Sequence, residues 1–200
     1  MTAAGLASSA HFFEYCLAGQ AMDGRGAASA FSLIELTVAL AVVAIVIAAG
    51  TPALRTTILD ARRAAAVNAF MHTLYSARAE SLLHVQFVSV CASRDQQQCS
   101  TAPADWSEGW ISFVNKDHDN PARVDPGETV VERHGPVAGT RVIANRDSLV
   151  FRHDSFSGTT ASFFFCDERG GRHARAVIVS QTGRPRLSES DAYGRPVPCG

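Results

Sequence analysis

From Leu36 to Leu54 the chain runs for 19 residues without a charge, and the residue just ahead of the run is a glutamate, Glu35. About 20 consecutive apolar residues carry a helix across a bilayer, so this stretch is long enough to span one. It exceeds the ~7–15 residues usual for the apolar core of a cleaved secretory signal, and it lacks the polar stripe of an amphipathic core helix. The reading is a membrane helix, which commits this end of the chain to lipid or to other apolar helices. Glu35 is then the anomaly. At the bilayer centre a charged side chain costs ~2.5–3.5 kcal/mol on insertion scales. At the edge of the span it reaches the interface, and deeper it needs a positive partner.

The residues before it suggest where such a partner comes from. Ala30, Phe31, Ser32, Leu33, Ile34 and Glu35 follow one another, and cleavage after the small Ala30 would give Phe31 a new α-amino group. Glu35 would become the fifth residue of the mature chain. This arrangement resembles the leader of type IV pilins and pseudopilins: a short basic leader, a small residue, Phe-[Ser/Thr]-Leu-[Ile/Val]-Glu, then some twenty apolar residues. The resemblance implies that a prepilin peptidase cuts between Ala30 and Phe31 and N-methylates Phe31. It also implies that Glu35 neutralises the terminal amine of a neighbouring subunit during assembly. Alanine before the cut, where the family usually has glycine, is a departure. Pro52 matches the proline that bends pilin helices, and its missing N–H supplies a physical reason for a bend. A leader of residues 1–30 is long for this class. Starting at Met22 gives "MDGRGAASA", the usual form, so Met22 is the expected start, which would remove Cys16.

Beyond Pro52 the helical pattern continues. Val67, Phe70, Met71, Leu74 and Ala77 recur at helical spacing with Arg62, Arg63, Asn68 and Arg78 between them, an amphipathic stripe that reads as core. Strand signals follow in "HVQFVSVC" (84–91), "GWISFVN" (109–115), "ETVVERH" (128–134), "TRVIA" (140–144), "SLVFRH" (148–153), "ASFFFCD" (161–167) and "RAVIVSQ" (175–181). They are short, β-branched or aromatic, and separated by turn residues, with "ERGG" (168–171) turning a hairpin between the last two. The expected fold class is α+β: a long N-terminal helix, transmembrane in its first half and amphipathic in its second, packed on an antiparallel β head. The expected organisation is a leader at 1–30, a transmembrane and assembly helix at 31–54, its amphipathic continuation at 55–83, and a β-rich head at 84–200. Taken in order, "ARAESLLHVQFVSVC", "DWSEGWISFVNKDHDN", "DPGE", "FFFCD" and "VIVSQTGRPRLS" resemble the FimT/GspH group of minor pilins and pseudopilins, from Phe31 to about Leu187.

Five cysteines occur, four of them after the apolar run, an even number on what the resemblance makes the exported side. Four cysteines allow three pairings. Cys91 and Cys99 flank a short loop, and Cys166 ends a strand signal while Cys199 is penultimate, so Cys91–Cys99 and Cys166–Cys199 are the expected pairs. The second would tether a tail otherwise free to fray. No zinc spacing is present. Asp117, Asp119 and Asp125 are rich in calcium-type oxygen ligands but lack the EF-hand register, and the same residues are what a turn needs. No metal or cofactor is therefore expected. Trp106 and Trp110, which could stack on bases, read as packing beside a strand. His84, His134, His153 and His173 have no partner at ligand spacing. No nucleophile, base or paired-carboxylate signature is visible, and the chain does not read as an enzyme.

The formal net charge is −1, so no global field draws the chain to nucleic acid, and any such site is a local patch. The one candidate patch is "RGGRHARAVIVSQTGRPR", with Arg169, Arg172, Arg175, Arg184 and Arg186. Gly183 lets the backbone turn closely and Pro185 holds a stiff, extended loop, from which the two last arginines can reach phosphates. "GRPR" resembles the GRxR motif of FimT proteins that bind DNA during natural transformation. The resemblance places double-stranded DNA on Gly183, Arg184 and Arg186, with Arg172 and Arg175 beside them. The partners it implies are other pilin subunits, prepilin peptidase and the inner membrane, with a periplasmic head and assembly into a pilus. The alternative is a GspH-like pseudopilin of type II secretion with no DNA role.

Overall fold

The computed structural model describes residues 32–101, 103–154 and 159–199. The leader, the expected cut between Ala30 and Phe31, and Cys16 lie outside the described residues. The chain divides into two units between Ile47 and Ala48. A single helix, α1 (Leu33–Leu83), runs through the boundary.

In the first unit α1 buries nothing: Leu33, Ile45 and Val46 are 80%, 69% and 65% exposed. Among the described residues this is the one helix long and apolar enough to cross a membrane. Ser32 and Glu35 have the spacing of a capping box, and Glu35 lies in the first turn, where the helix dipole favours a negative charge.

In the second unit α1 changes character. Leu59, Arg63, Ala66, Val67, Phe70, Thr73, Leu74, Ala77 and Ser81 are buried, a spacing of three and four that keeps one face on the core. Two four-stranded antiparallel sheets receive it. The first has the order β3 (Val130–His134), β2 (Trp110–Val114), β1 (Val88–Ala92), β5 (Ser148–Phe151). The second has the order β4 (Arg141–Ala144), β6 (Ala161–Cys166), β7 (Arg175–Val179), β8 (Pro185–Ser188). Strand alternation sends Val88, Val90, Phe163, Phe165, Val177 and Val179 to the helix. Phe70 is the hub, with ring centroids 4.5 Å from Phe163, 5.0 Å from Trp110 and 5.7 Å from Trp106 and Phe165. Both indoles are fully buried and satisfied: Trp106 Nε1 donates to Arg146 O at 3.0 Å and Trp110 Nε1 to Thr73 Oγ1 at 3.1 Å.

Two expectations need correcting. β1 starts at Val88 rather than at His84, because the chain first turns out of α1. Ser81 Oγ donates to Gln86 O at 2.8 Å and Gln86 N to Ser81 O at 3.2 Å, which holds Val85 at φ 53, uncommon for a β-branched residue. Pro185 does not hold an extended loop: it opens β8, a strand whose apolar alternation is broken by proline and arginine.

Sulfur–sulfur bonds join Cys91 to Cys99 and Cys166 to Cys199. Val197 and Cys199 from the tail pack with Phe164, Ala176 and Ile178 on the outer face of the second sheet. On the outer face of the first sheet, Ala122 and Val124 of the Asp-rich loop pack against Cys91, Ile111 and Phe113. That loop is a cover.

Candidate nucleic-acid interface

The hairpin between β7 and β8 carries the arginine pair. Gly183 N donates to Ser180 O at 2.8 Å and Ser180 N to Arg184 O at 3.1 Å, closing a three-residue loop with Gly183 at φ 70. This is the type I turn plus bulge that calls for glycine at its left-handed position. A Cβ there would also stand 3.2 Å from Arg78 Nη1 and 3.3 Å from Phe151 Cδ1. Gly183 is thus explained by the turn itself. The loop is anchored to α1, since Arg78 Nη1 donates to Thr182 O and the Tyr75 hydroxyl donates to Pro185 O at 3.4 Å.

Arg184 and Arg186 are exposed on either side of buried Pro185, so they share one face. Arg186 pairs with Ile178 and Pro185 with Val179, which puts the arginines on the outer face and Pro185 toward the helix. Two residues of strand separate their Cα atoms by about 7 Å, close to the step between successive phosphates on one strand. Among the described residues neither guanidinium has a hydrogen-bond or ion-pair partner.

The other arginines of the segment are placed elsewhere. Arg175 pairs with Phe165 in register, faces the helix side, and is tied to Glu189 at 3.0 Å. Arg172 is exposed in a 3-10 turn, Gly171–His173. Arg186 lies opposite Ile178, three residues of β7 or about 10 Å from Arg175, but on the other face of the sheet. The structure therefore does not bring Arg172 and Arg175 to the Arg184–Arg186 pair. Arg169 is fully engaged: its Nη2 lies 2.6 Å from Asp167 Oδ2 and 2.7 Å from Asp60 Oδ1. Arg63 reaches the same two carboxylates at 3.1 Å and 2.8 Å. The Asp167 carboxyl, 1% exposed, is held down at about 2, first by the hydrogen bonds from Arg169 and then by the charge of both arginines. Asp60 is lowered too, first by Arg169. The network ties α1 to the β6–β7 turn, and nothing in local spacing announces it.

The acidic loop gathers Asp117, Asp119 and Asp125, whose oxygens all lie within 4.8 Å of one another. Burial and then the negative neighbours Asp117, Asp119 and Glu128 push the Asp125 carboxyl up. Asp119 Oδ1 accepts from Asn115 Nδ2 at 3.0 Å and Glu128 Oε1 from Lys116 N at 2.6 Å, which is turn chemistry.

A long apolar N-terminal helix continuing into an amphipathic half on a two-sheet head describes a filament subunit of the pilin kind. The family model described as type II transport protein GspH matches residues 66–183, more than half of the chain, and the chain belongs to this GspH family of minor pilins and pseudopilins. The match ends at Gly183, so Arg184 and Arg186 stand outside it. Among solved structures, the chain is similar to the type IV minor pilin FimU of Pseudomonas aeruginosa strain PAO1. In one crystal form the identity is 17% and the TM-score 0.48 over 67% of this chain and 90% of that one. In a second form the values are 19% and 0.46 over 62% and 90%. It is also similar to the minor pseudopilin EpsH from the type 2 secretion system of Vibrio cholerae, with 12% identity and a TM-score of 0.45 over 64% and 96%. No curated protein sequence matches it.

Proposed function

We propose that this chain is a minor type IV pilin that holds DNA without sequence preference through Arg184 and Arg186. The observation that supports this is the pair itself: two exposed guanidiniums without partners among the described residues, on one face of a hairpin anchored to α1. Paired arginines in a rigid frame suit phosphate oxygens, and phosphate contacts of this kind carry no sequence information. Around this site we place the rest of the reading. Prepilin peptidase cuts after Ala30 and methylates Phe31. Residues 31–54 hold the subunit in the inner membrane and then in the filament, with the head in the periplasm. Glu35 meets the terminal amine of a neighbouring subunit during assembly.

The test compares DNA capture by the full-length protein in nonionic detergent with three variants. Arg184→Gln with Arg186→Gln is expected to abolish capture at low salt. Arg172→Gln, in the turn ahead of β7, is expected to leave it within about twofold, since electrostatic contacts act locally in salt. Glu35→Ala is expected to bind DNA normally yet fail to enter filaments. Equal loss in Arg172→Gln and in the Arg184/Arg186 variant would refute the placement of the site.

A second reading has a specific point in its favour, the description of the matching family model as a type II transport protein. On that reading the chain is a pseudopilin with no DNA role. Its deletion would then block protein secretion while leaving piliation intact.

A further inference from the structure

We infer that the Arg184–Arg186 site takes an unpaired DNA strand in preference to a duplex, with Tyr75 as the surface on which a base stacks. The inference rests on the proposed DNA reading and adds the class of ligand. β8 is the outermost strand of its sheet, and the two sides of its free edge differ. On the outer side stand Arg184 and Arg186. On the helix side, Leu187 pairs with Val177 in register and so faces inward, yet it is 54% exposed, because α1 does not extend over it. Tyr75 of α1 comes up on that same side, 53% exposed, with its hydroxyl on Pro185 O at 3.4 Å.

The edge is closed to strand pairing at Pro185. Proline offers no N–H, and the Pro185 carbonyl is already occupied by Tyr75. What remains is a ridge with phosphate-binding groups on one side and an aromatic–aliphatic shoulder on the other. A single strand laid along the ridge puts phosphates on the arginines and turns a base toward the Tyr75 ring. Base–aromatic stacking of this kind tolerates any sequence. In a duplex the bases are stacked on one another and cannot reach the shoulder, so a duplex engages the arginines alone. The surrounding charge favours phosphates of either form and leaves the preference to the Tyr75 shoulder. Arg78 adds a positive charge beneath the loop, and Glu189, the acidic side chain just past β8, is neutralised by Arg175 at 3.0 Å.

The experiment titrates fluorescently labelled oligothymidine, and a blunt duplex of the same length, against the full-length protein in nonionic detergent. Tyr75→Phe, Tyr75→Ser and Arg184→Gln with Arg186→Gln are measured beside it. Single strand is expected to bind at least about fivefold tighter than duplex, and Tyr75→Ser to remove that advantage. Tyr75→Phe keeps the ring and should keep the preference. The arginine variant should lose both ligands. Equal or tighter duplex binding, or single-strand preference retained in Tyr75→Ser, overturns the inference while leaving the arginine site standing. No binding of either ligand by the wild type overturns the DNA reading itself.

Discussion

Replacing Asp167 with asparagine tests how the head is held to its helix. The carboxylate is buried between Arg63 and Arg169, and its pKa drops from the ordinary 3.8 to about 2. A group depressed in the folded state adds stability that is fully present above its unfolded pKa and lost as pH falls through its folded one. At ~1.36 kcal/mol per pKa unit the charge contributes about 2.5 kcal/mol at pH 7. About half of this remains at pH 3 and roughly 0.4 kcal/mol at pH 2. Urea unfolding followed by tryptophan emission is the assay, because both indoles are buried in the head and report its transition. Asparagine keeps the shape, so any pH-independent part of its cost reflects lost hydrogen bonds. The stability difference between wild type and variant should shrink by about 2 kcal/mol between pH 7 and pH 2. Asp60, also lowered, titrates in both proteins and cancels to first order. A difference of the same size at both pH values would refute the electrostatic account of this network.

Two further outcomes follow from packing and turn geometry. Phe70→Ala removes the ring that touches four other aromatic rings and should cost about 3–5 kcal/mol of head stability in the same urea assay. Gly183→Ala places a Cβ in a left-handed position beside Arg78 and Phe151 and should cost about 1–2 kcal/mol; it should also weaken DNA capture by loosening the hairpin. Wild-type stability in Gly183→Ala would show that the loop is less constrained than its hydrogen bonds imply.

The helix and seven strands were legible for different reasons. The apolar run of α1 shows by its length, the stripe from Val67 to Ala77 by its helical spacing, and runs such as "ASFFFCD" by short aromatic or β-branched content bounded by turn residues. β8 was not legible. Its core-facing pattern is one proline between two arginines and a half-exposed leucine after them, the composition an edge strand tolerates and a loop shares. The arginine segment looked like one patch because sequence lists neighbours without faces. The register of β7 with β6 and β8 turns Arg175 inward and Arg184 and Arg186 outward, and only the folded contacts show that Arg169 is consumed by Asp167 and Asp60. Asp60 and Asp167 lie too far apart in sequence for any local pattern to join them. Tyr75 left one trace: it falls off the buried stripe formed by Phe70, Leu74 and Ala77, as a large aromatic at an exposed helical position.

The most direct test of the central claim is the salt dependence of duplex binding by the full-length protein, with and without Arg184→Gln and Arg186→Gln. Two neutralised phosphates give a slope of about −1.8 for log affinity against log salt. The wild type should show that slope, and the double variant should show no measurable duplex binding even at the lowest salt. A flat response in the wild type, or an unchanged slope in the folded double variant, would contradict the claim that this arginine pair holds DNA.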